Sequence, residues 1–367
     1  MKTSTKILIT FLGSFIILVG ILGSLYTILP YLGINLFKDT GSLGAIILFQ
    51  SCLLISIPIT YFKIKDDLKE IDLFNFPTIR EKSKLVNNLK DEIKKFLEKG
   101  LYNDVIHYGS SISRVLWLNG EYSARIKIGE MVDEAATALN KLDIKASTLI
   151  DDIGWTLVPL KKYDEAAKNI KKGIEIAQSI PDYYLLAKGK RHLSGIEIEK
   201  NNHNSAIHYL KESENYANSV GDSKKKTEML GGIQYGMAEA YYLKGNYKKA
   251  KEYCEKVKEL FVQIDDKSRL AKYYAQMGKI LEAELNEDNA RDYYLQGVEF
   301  SKNCQRVDEL IRNRLGLARI YANKNDKKRA QINLKDAKKL LQRTPVFFFG
   351  DINSELKNIE EKIRRLK

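Results

Sequence analysis

Catalytic and metal-binding residues are scarce in this chain. Its 367 residues include three cysteines and four histidines. Cys52, Cys254 and Cys304 are too few and too unpatterned to form a disulfide framework, which suits a reducing compartment. His107, His192, His203 and His208 show no metal-ligand spacing, and no cysteine pairs with them. There is no G-x-S-x-G elbow, no Gly-rich phosphate loop and no H-E-x-x-H helix. Asp151-Asp152 is an adjacent acidic pair, but neighbours on a helix project about 100° apart and make a poor acid–base couple. No catalytic residue, cofactor or metal is therefore expected, and an enzyme is not the expected class.

Charge is also missing in two places. Ile7 to Phe37 and Ser42 to Phe62 contain no Asp, Glu, Lys or Arg. Each is long enough for the ~20 apolar residues that cross a bilayer, and Lys38 to Gly41 is a short link, so residues 1–62 are expected to form a transmembrane helical hairpin. Lys2 and Lys6 would also suit the basic start of a cleaved signal peptide. The apolar run is too long for that, however, and no small-x-small site follows before the run continues through Tyr26-Thr27-Ile28-Leu29. Lys2 and Lys6 before the first span, with Lys63, Lys65 and Lys69 after the second, place both ends in the cytoplasm by the positive-inside preference. The expected location is an inner or plasma membrane, with everything after the hairpin cytoplasmic.

The net charge is +13. The basic residues are mixed with acids, as in Lys248-Lys249-Ala250-Lys251-Glu252, which suits solvated helix faces. No helix-turn-helix, zinc finger or ribonucleoprotein motif is present, so nucleic acid is not an expected partner. Residues 63–100 form a charged segment interrupted by Pro77. Leu85, Leu89, Ile93 and Leu97 in it recur every four residues and predict an amphipathic helix over Lys82 to Lys99. That helix would cover the apolar edge of the segment beginning near residue 101, or lie on a membrane surface.

From residue 101 onward the chain is periodic. Ala166, Ala206, Ala250, Ala290 and Ala330 are separated by 40, 44, 40 and 40 residues. Twelve residues before each stands another small residue: Gly154, Ser194, Ala238, Gly278 and Ala318. Small residues on two antiparallel helices let the backbones approach, so the double register predicts stacked helical hairpins. The segments Ile153-Gly154-Trp155 through Tyr163-Asp164-Glu165-Ala166, Met237-Ala238-Glu239-Ala240-Tyr241 through Tyr247-Lys248-Lys249-Ala250, and Leu317-Ala318-Arg319-Ile320-Tyr321 with Ala330 resemble the tetratricopeptide repeat. Glu287 and His203 replace the turn tyrosine in two weaker copies. A degenerate first copy runs through Ser113, Trp117 and Tyr122, with Arg125 where the small residue belongs.

The resemblance covers residues 101–343 and implies an all-α, right-handed helical-hairpin solenoid of about six repeats. Residues 344–367 are expected to cap it. There Thr344-Pro345 stops the last repeat, Val346 to Gly350 turn the chain, and Ile352, Leu356, Ile359, Ile363 and Leu366 form one apolar stripe.

In such arrays the first helix of each repeat lines a concave groove. Carried over position by position, the resemblance implies a partner-binding groove of Asp152, Trp155, Lys188, Arg191, His192, Tyr235, Glu239, Tyr242, Lys272, Lys279, Arg312 and Arg319, with Arg114, Trp117, Asp151, Glu199, Gln276, Glu282 and Asn323 beside them. Basic forks next to aromatic plates suit an extended peptide with acidic groups. Ser110, Arg114 and Asp152 stand where Lys, Asn and Asn would form a chaperone-tail clamp, so that clamp is not implied. Three functions stay open: a membrane-tethered scaffold that binds a protein or peptide, a ligand- or peptide-sensing signalling protein, and a membrane effector whose hairpin packs through Gly13, Gly20, Gly23 and Ser24.

Overall fold

A computed structural model describes residues 79–304, 306–343 and 352–366. The two uncharged stretches, Pro77 and the Phe347 to Phe349 cluster lie outside the described residues. Among the described residues every regular element is a helix, and none is long and apolar enough to cross a membrane.

Helix α1 spans Ile79–Glu98, α2 Tyr102–Leu118 and α3 Tyr122–Ala138. Helix α4, Leu142–Ser147, runs on through a π-helical stretch, Thr148–Gly154, and a 3-10 turn, Trp155–Leu157. Then come α5 (Tyr163–Ser179), α6 (Tyr183–Glu199), α7 (His203–Asn218), α8 (Ser223–Leu243), α9 (Tyr247–Gln263), α10 (Lys267–Ala283), α11 (Glu287–Asn303), α12 (Val307–Asn323), α13 (Lys327–Arg343) and α14 (Ile352–Arg365). From Tyr102 to Arg343 these elements alternate as the first and second helices of six hairpins, and each first helix packs on its own second helix.

The small residues sit where the backbones meet. Ala166, Ala206, Ala238, Ala250, Ala290, Ala318 and Ala330 are all 0% exposed. A Cβ on Gly154 would lie 2.6 Å from Ile170 Cγ1 and from the Leu149 carbonyl oxygen; one on Gly278 would lie 2.6 Å from the Tyr294 ring. The second helices bring mid-sized side chains into the same layers, as with Cys254, Val257 and Phe261 of α9 against Tyr273 and Met277 of α10. Burial pushes the Cys254 thiol well above its ordinary range, so it packs as an inert core residue. Ala250→Leu has no room for its added carbons and is expected to cost ~1–3 kcal/mol in urea unfolding. An unchanged midpoint would contradict the packing.

Within each hairpin the first helix ends on a left-handed residue: Gly120, Lys161, Asn201, Gly245, Leu285 or Asn325. At α8 this conformation lets Gly245 and Asn246 donate their N–H groups back to Tyr242 and Tyr241. Leu285 adopts φ 62° and is 87% exposed, so it bears left-handed strain without burying its side chain. That conformation costs an L-residue ~1–2 kcal/mol, less for Asn. Leu285→Asn is expected to raise stability by about 1 kcal/mol in the same measurement, and a loss would contradict the strain.

Both ends of the array are covered. Val86, Leu89 and Ile93 of α1 are buried against α2 and α3, so the amphipathic helix seals the first hairpin. At the other end Ile359 and Ile363 of α14 are buried, with Ile352, Leu356 and Leu366 packed around them on α12 and α13. A solenoid needs such helices because its terminal hairpins have no neighbour to cover them.

Candidate functional site

Successive first helices pack directly on one another: α6 on the π-helical stretch, α8 on α6, α10 on α8 and α12 on α10, with α14 taking the next place on α12. No two successive second helices pack as closely. The first helices therefore share one continuous face, and most of the expected groove residues lie along it.

That face carries a ladder of ion pairs between neighbouring helices. Lys188 of α6 binds Asp151 of the π-helical stretch at 2.5 Å. Arg269 of α10 approaches Glu228 of α8 to 3.4 Å, and Lys279 of α10 approaches Glu239 of α8 to 3.2 Å. Arg319 of α12 holds Glu282 of α10 through two bonds of 2.9 Å and also takes Glu355 of α14. Partners stand 36 to 41 residues apart, one repeat along the chain. The basic groove expected from the sequence is thus largely neutralised from within. Lys188, Lys279 and Arg319 have direct carboxylate partners, and Arg312 lies 3.8 Å from Glu309 on its own helix.

Asp152 is taken up differently. Arg125 of α3, 5% exposed, donates to Asp152 Oδ1 at 2.8 Å, to Ser113 Oγ at 2.9 Å, to Thr156 Oγ1 at 2.6 Å and to the Asp151 carbonyl at 3.1 Å. Ser113 also donates to Asp152. Asp152 is therefore an internal counter-ion, whereas its neighbour Asp151 on the π-helical stretch meets Lys188 and His192 of α6. Burial lifts the Asp152 carboxyl above its usual range against the pull of Arg125. Burial also opposes charge on Asp151, but Lys188, His192 and Arg125 together hold that carboxyl well below its usual range.

Trp155 lies between Trp117, 6.3 Å between ring centroids, and His192, stacked at 4.4 Å and 14°. His192 is 3% exposed, so it belongs to the core of the first-helix layer and presents no ring to solvent. Its Nε2 lies 3.1 Å from Asp151 Oδ1, while its buried Nδ1 has no hydrogen-bond partner. Burial, ahead of any neighbour, pushes its pKa down to about 3.

The aromatic side chains of α8 bear cations from α10. Lys272 Nζ sits 5.4 Å from the Tyr235 ring centroid, and Lys279 Nζ 4.3 Å from that of Tyr242. Burial opposes charge on Glu239, yet Lys279 and Arg312 hold its carboxyl below the usual range. Lys272 has no carboxylate within 4.0 Å among the described residues; burial, then Arg306, lowers its pKa to about 8. Arg191 has no ion pair there either, and burial lowers its pKa. Its side chain lies along α8 at Gly232, where a Cβ would stand 3.4 Å from Arg191 Cδ.

Sequence reasoning missed Arg125 as a hub, the ladder partners Glu228, Arg269 and Glu355, and the gap at Gly232. Opposite charges one repeat apart, such as Glu239 and Lys279, are the signal that would have found the ladder.

These features define a tetratricopeptide-type helical solenoid. Residues 230–303, from within α8 to the end of α11, match the tetratricopeptide repeat family. Among solved structures the chain is similar to the apo form of RapI, with a TM-score of 0.54, 12% identity, and 77% of this chain and 96% of that one covered. A Rap protein complexed with Competence and Sporulation Factor matches with a TM-score of 0.52, 16% identity, and 84% and 87% covered. The Rap conjugation gene regulator of the plasmid pLS20, in complex with the Phr* peptide, has a TM-score of 0.50, 11% identity, and 70% and 75% covered. At such identities the shared property is the fold. No curated protein matches the sequence.

Proposed function

We propose that this chain is a non-catalytic, membrane-anchored scaffold, and that its first-helix face is a groove that receives an extended segment of a protein or peptide on the cytoplasmic side. The observation that carries this reading is the direct packing of successive first helices, which lines up Trp155, Tyr235 and Tyr242 with charged side chains at one-repeat intervals. An extended chain fits such a row because its own side chains recur along a line. Two of the similar solenoids are complexes, one with Competence and Sporulation Factor and one with the Phr* peptide, in keeping with a binding role. Anchoring rests on the uncharged stretches 7–37 and 42–62.

Photo-crosslinking residues placed at Tyr235, at Tyr242 and at the exposed Lys251 of α9 test the groove in native cells. Adducts from the two tyrosine positions and none from Lys251 are expected. Adducts from Lys251 alone would move binding to the second helices. A cysteine at Lys324 is expected to react with label only from the cytoplasmic side, and labelling from outside intact cells would overturn the orientation.

A further inference from the structure

The ladder has one seam without a rung. The other seams from the π-helical stretch to α14 are crossed by a carboxylate and a cation: Asp151 with Lys188, Glu228 with Arg269, Glu239 with Lys279, Glu282 with Arg319, and Arg319 with Glu355. Between α6 and α8 the cation is present and the acid is absent. Arg191 extends across the seam, and the residue that faces it, 41 positions on, is Gly232. A Cβ there would lie 3.4 to 3.6 Å from Arg191 Cδ, Nε and Nη1, so the glycine leaves the guanidinium bordering bare backbone. One helical turn along α8 stands Tyr235, which carries Lys272, a cation that like Arg191 has no ion pair among the described residues.

We propose that this gap is a carboxylate subsite: an Asp or Glu side chain of an extended peptide seats over Gly232, pairs with Arg191 and has Lys272 on its far side. The proposal rests on the groove reading of the first-helix face and names the chemistry of the occupant.

Four observations favour a carboxylate. A half-buried guanidinium has lost hydration that only an anion or several acceptors can replace. Every other interhelical rung is closed by a carboxylate, so the spacing between neighbouring first helices suits that group. Where the chain has a further acid within reach, the face accepts it: Glu355, from beyond the last hairpin, joins Glu282 on Arg319. Burial and neighbouring cations also depress the charge on Lys272, which an anion nearby would restore.

Gly232 also offers a way to supply the missing rung in cis. Its Cβ position is in ordinary contact distance of Arg191, so Gly232→Asp fits and brings a carboxylate to the guanidinium. This variant is expected to melt higher than the parent chain and to exclude an acidic ligand. A lower melting temperature would contradict the missing rung.

The binding test uses a display library of random nonapeptides selected on the full chain in detergent micelles. Selected peptides are expected to share one Asp or Glu position. A synthetic copy with that residue changed to its amide should bind ten-fold or more weakly. Arg191→Gln should bind the acid and amide copies alike, and Arg191→Lys should still prefer the acid. Gly232→Asp should lose at least ten-fold for the acidic copy. Peptides selected without an acidic position, or acid and amide copies of equal affinity, would overturn the subsite and leave the groove standing. Selection of no peptide at all would overturn both.

Discussion

Arg125→Ala is expected to destabilise the array by about 3–5 kcal/mol, the cost of leaving a buried acid without its counter-ion. The substitution would restore the small residue that the repeat pattern places there, so a reading by pattern alone expects no loss. The structure argues otherwise. Arg125 fills the second-helix position of the first hairpin with a buried guanidinium, and its partners come from three segments: Ser113 on α2, Asp151 and Asp152 in the π-helical stretch, and Thr156 just beyond it. Its guanidinium also lies 5.3 Å from the Trp117 ring centroid. Alanine would leave a cavity and strip Asp152 of its ion pair. Burial already lifts that carboxyl, which would then take up a proton. Urea unfolding of Arg125→Ala, Asp152→Asn and the double variant separates the terms. The double variant should lose less than Arg125→Ala alone, because the unpaired acid is gone. A neutral Arg125→Ala would show that Arg125 merely fills space.

The same residue shows what was legible in the sequence. The small-residue register could be read because close backbone approach admits only Gly, Ala or Ser, and Ala166 through Ala330 are all buried at such contacts. The covering helices were legible too, since Leu89 and Ile93, or Ile359 and Ile363, recur on one face and must be hidden. Arg125 broke the register, and nothing near it in sequence explains why. Its carboxylate partner lies 27 residues away, on a turn whose π-helical winding no local pattern announces.

The charged face was legible in position but not in state. Lys188, Lys279 and Arg319 lie on the first-helix face, and each is paired with an acid one repeat back. A count of basic residues cannot separate paired cations from open ones, because the partner sits on another helix. Only the pairing at repeat spacing distinguishes them: one repeat back from Arg191 stands Asp151, which Lys188 takes, and one repeat on stands Gly232.

Acid is expected to destabilise the chain through His192 well before the carboxylates with lowered pKa values respond. The folded state holds this imidazole neutral. Its ring is stacked on Trp155, Nε2 faces Asp151, and Nδ1 has no acceptor for a second proton. Arg191 and Lys188 on the same helix oppose a positive charge, and Asp151 favours one, but burial outweighs them all. With a folded pKa of about 3 and an unfolded value near 6.5, both states are neutral above pH 6.5 and His192 contributes nothing to the pH dependence there. Between those values only the unfolded chain binds the proton, so stability falls as pH falls, by up to ~1.4 kcal/mol per pH unit. Asp151 acts in the same direction, but only as pH drops through and below its ordinary 3.8. Asp152 and Glu309, whose pKa values burial raises, act in the opposite direction, so the wild-type slope alone is a mixture. The measurement is therefore a difference. His192→Gln keeps an N–H for Asp151 and cannot take the proton. Relative to this variant, the wild type should lose about 2–3 kcal/mol between pH 6.5 and about 4.5 in urea unfolding. Parallel curves over that range would show that His192 is protonated in the folded chain and would remove it from the core of the first-helix layer.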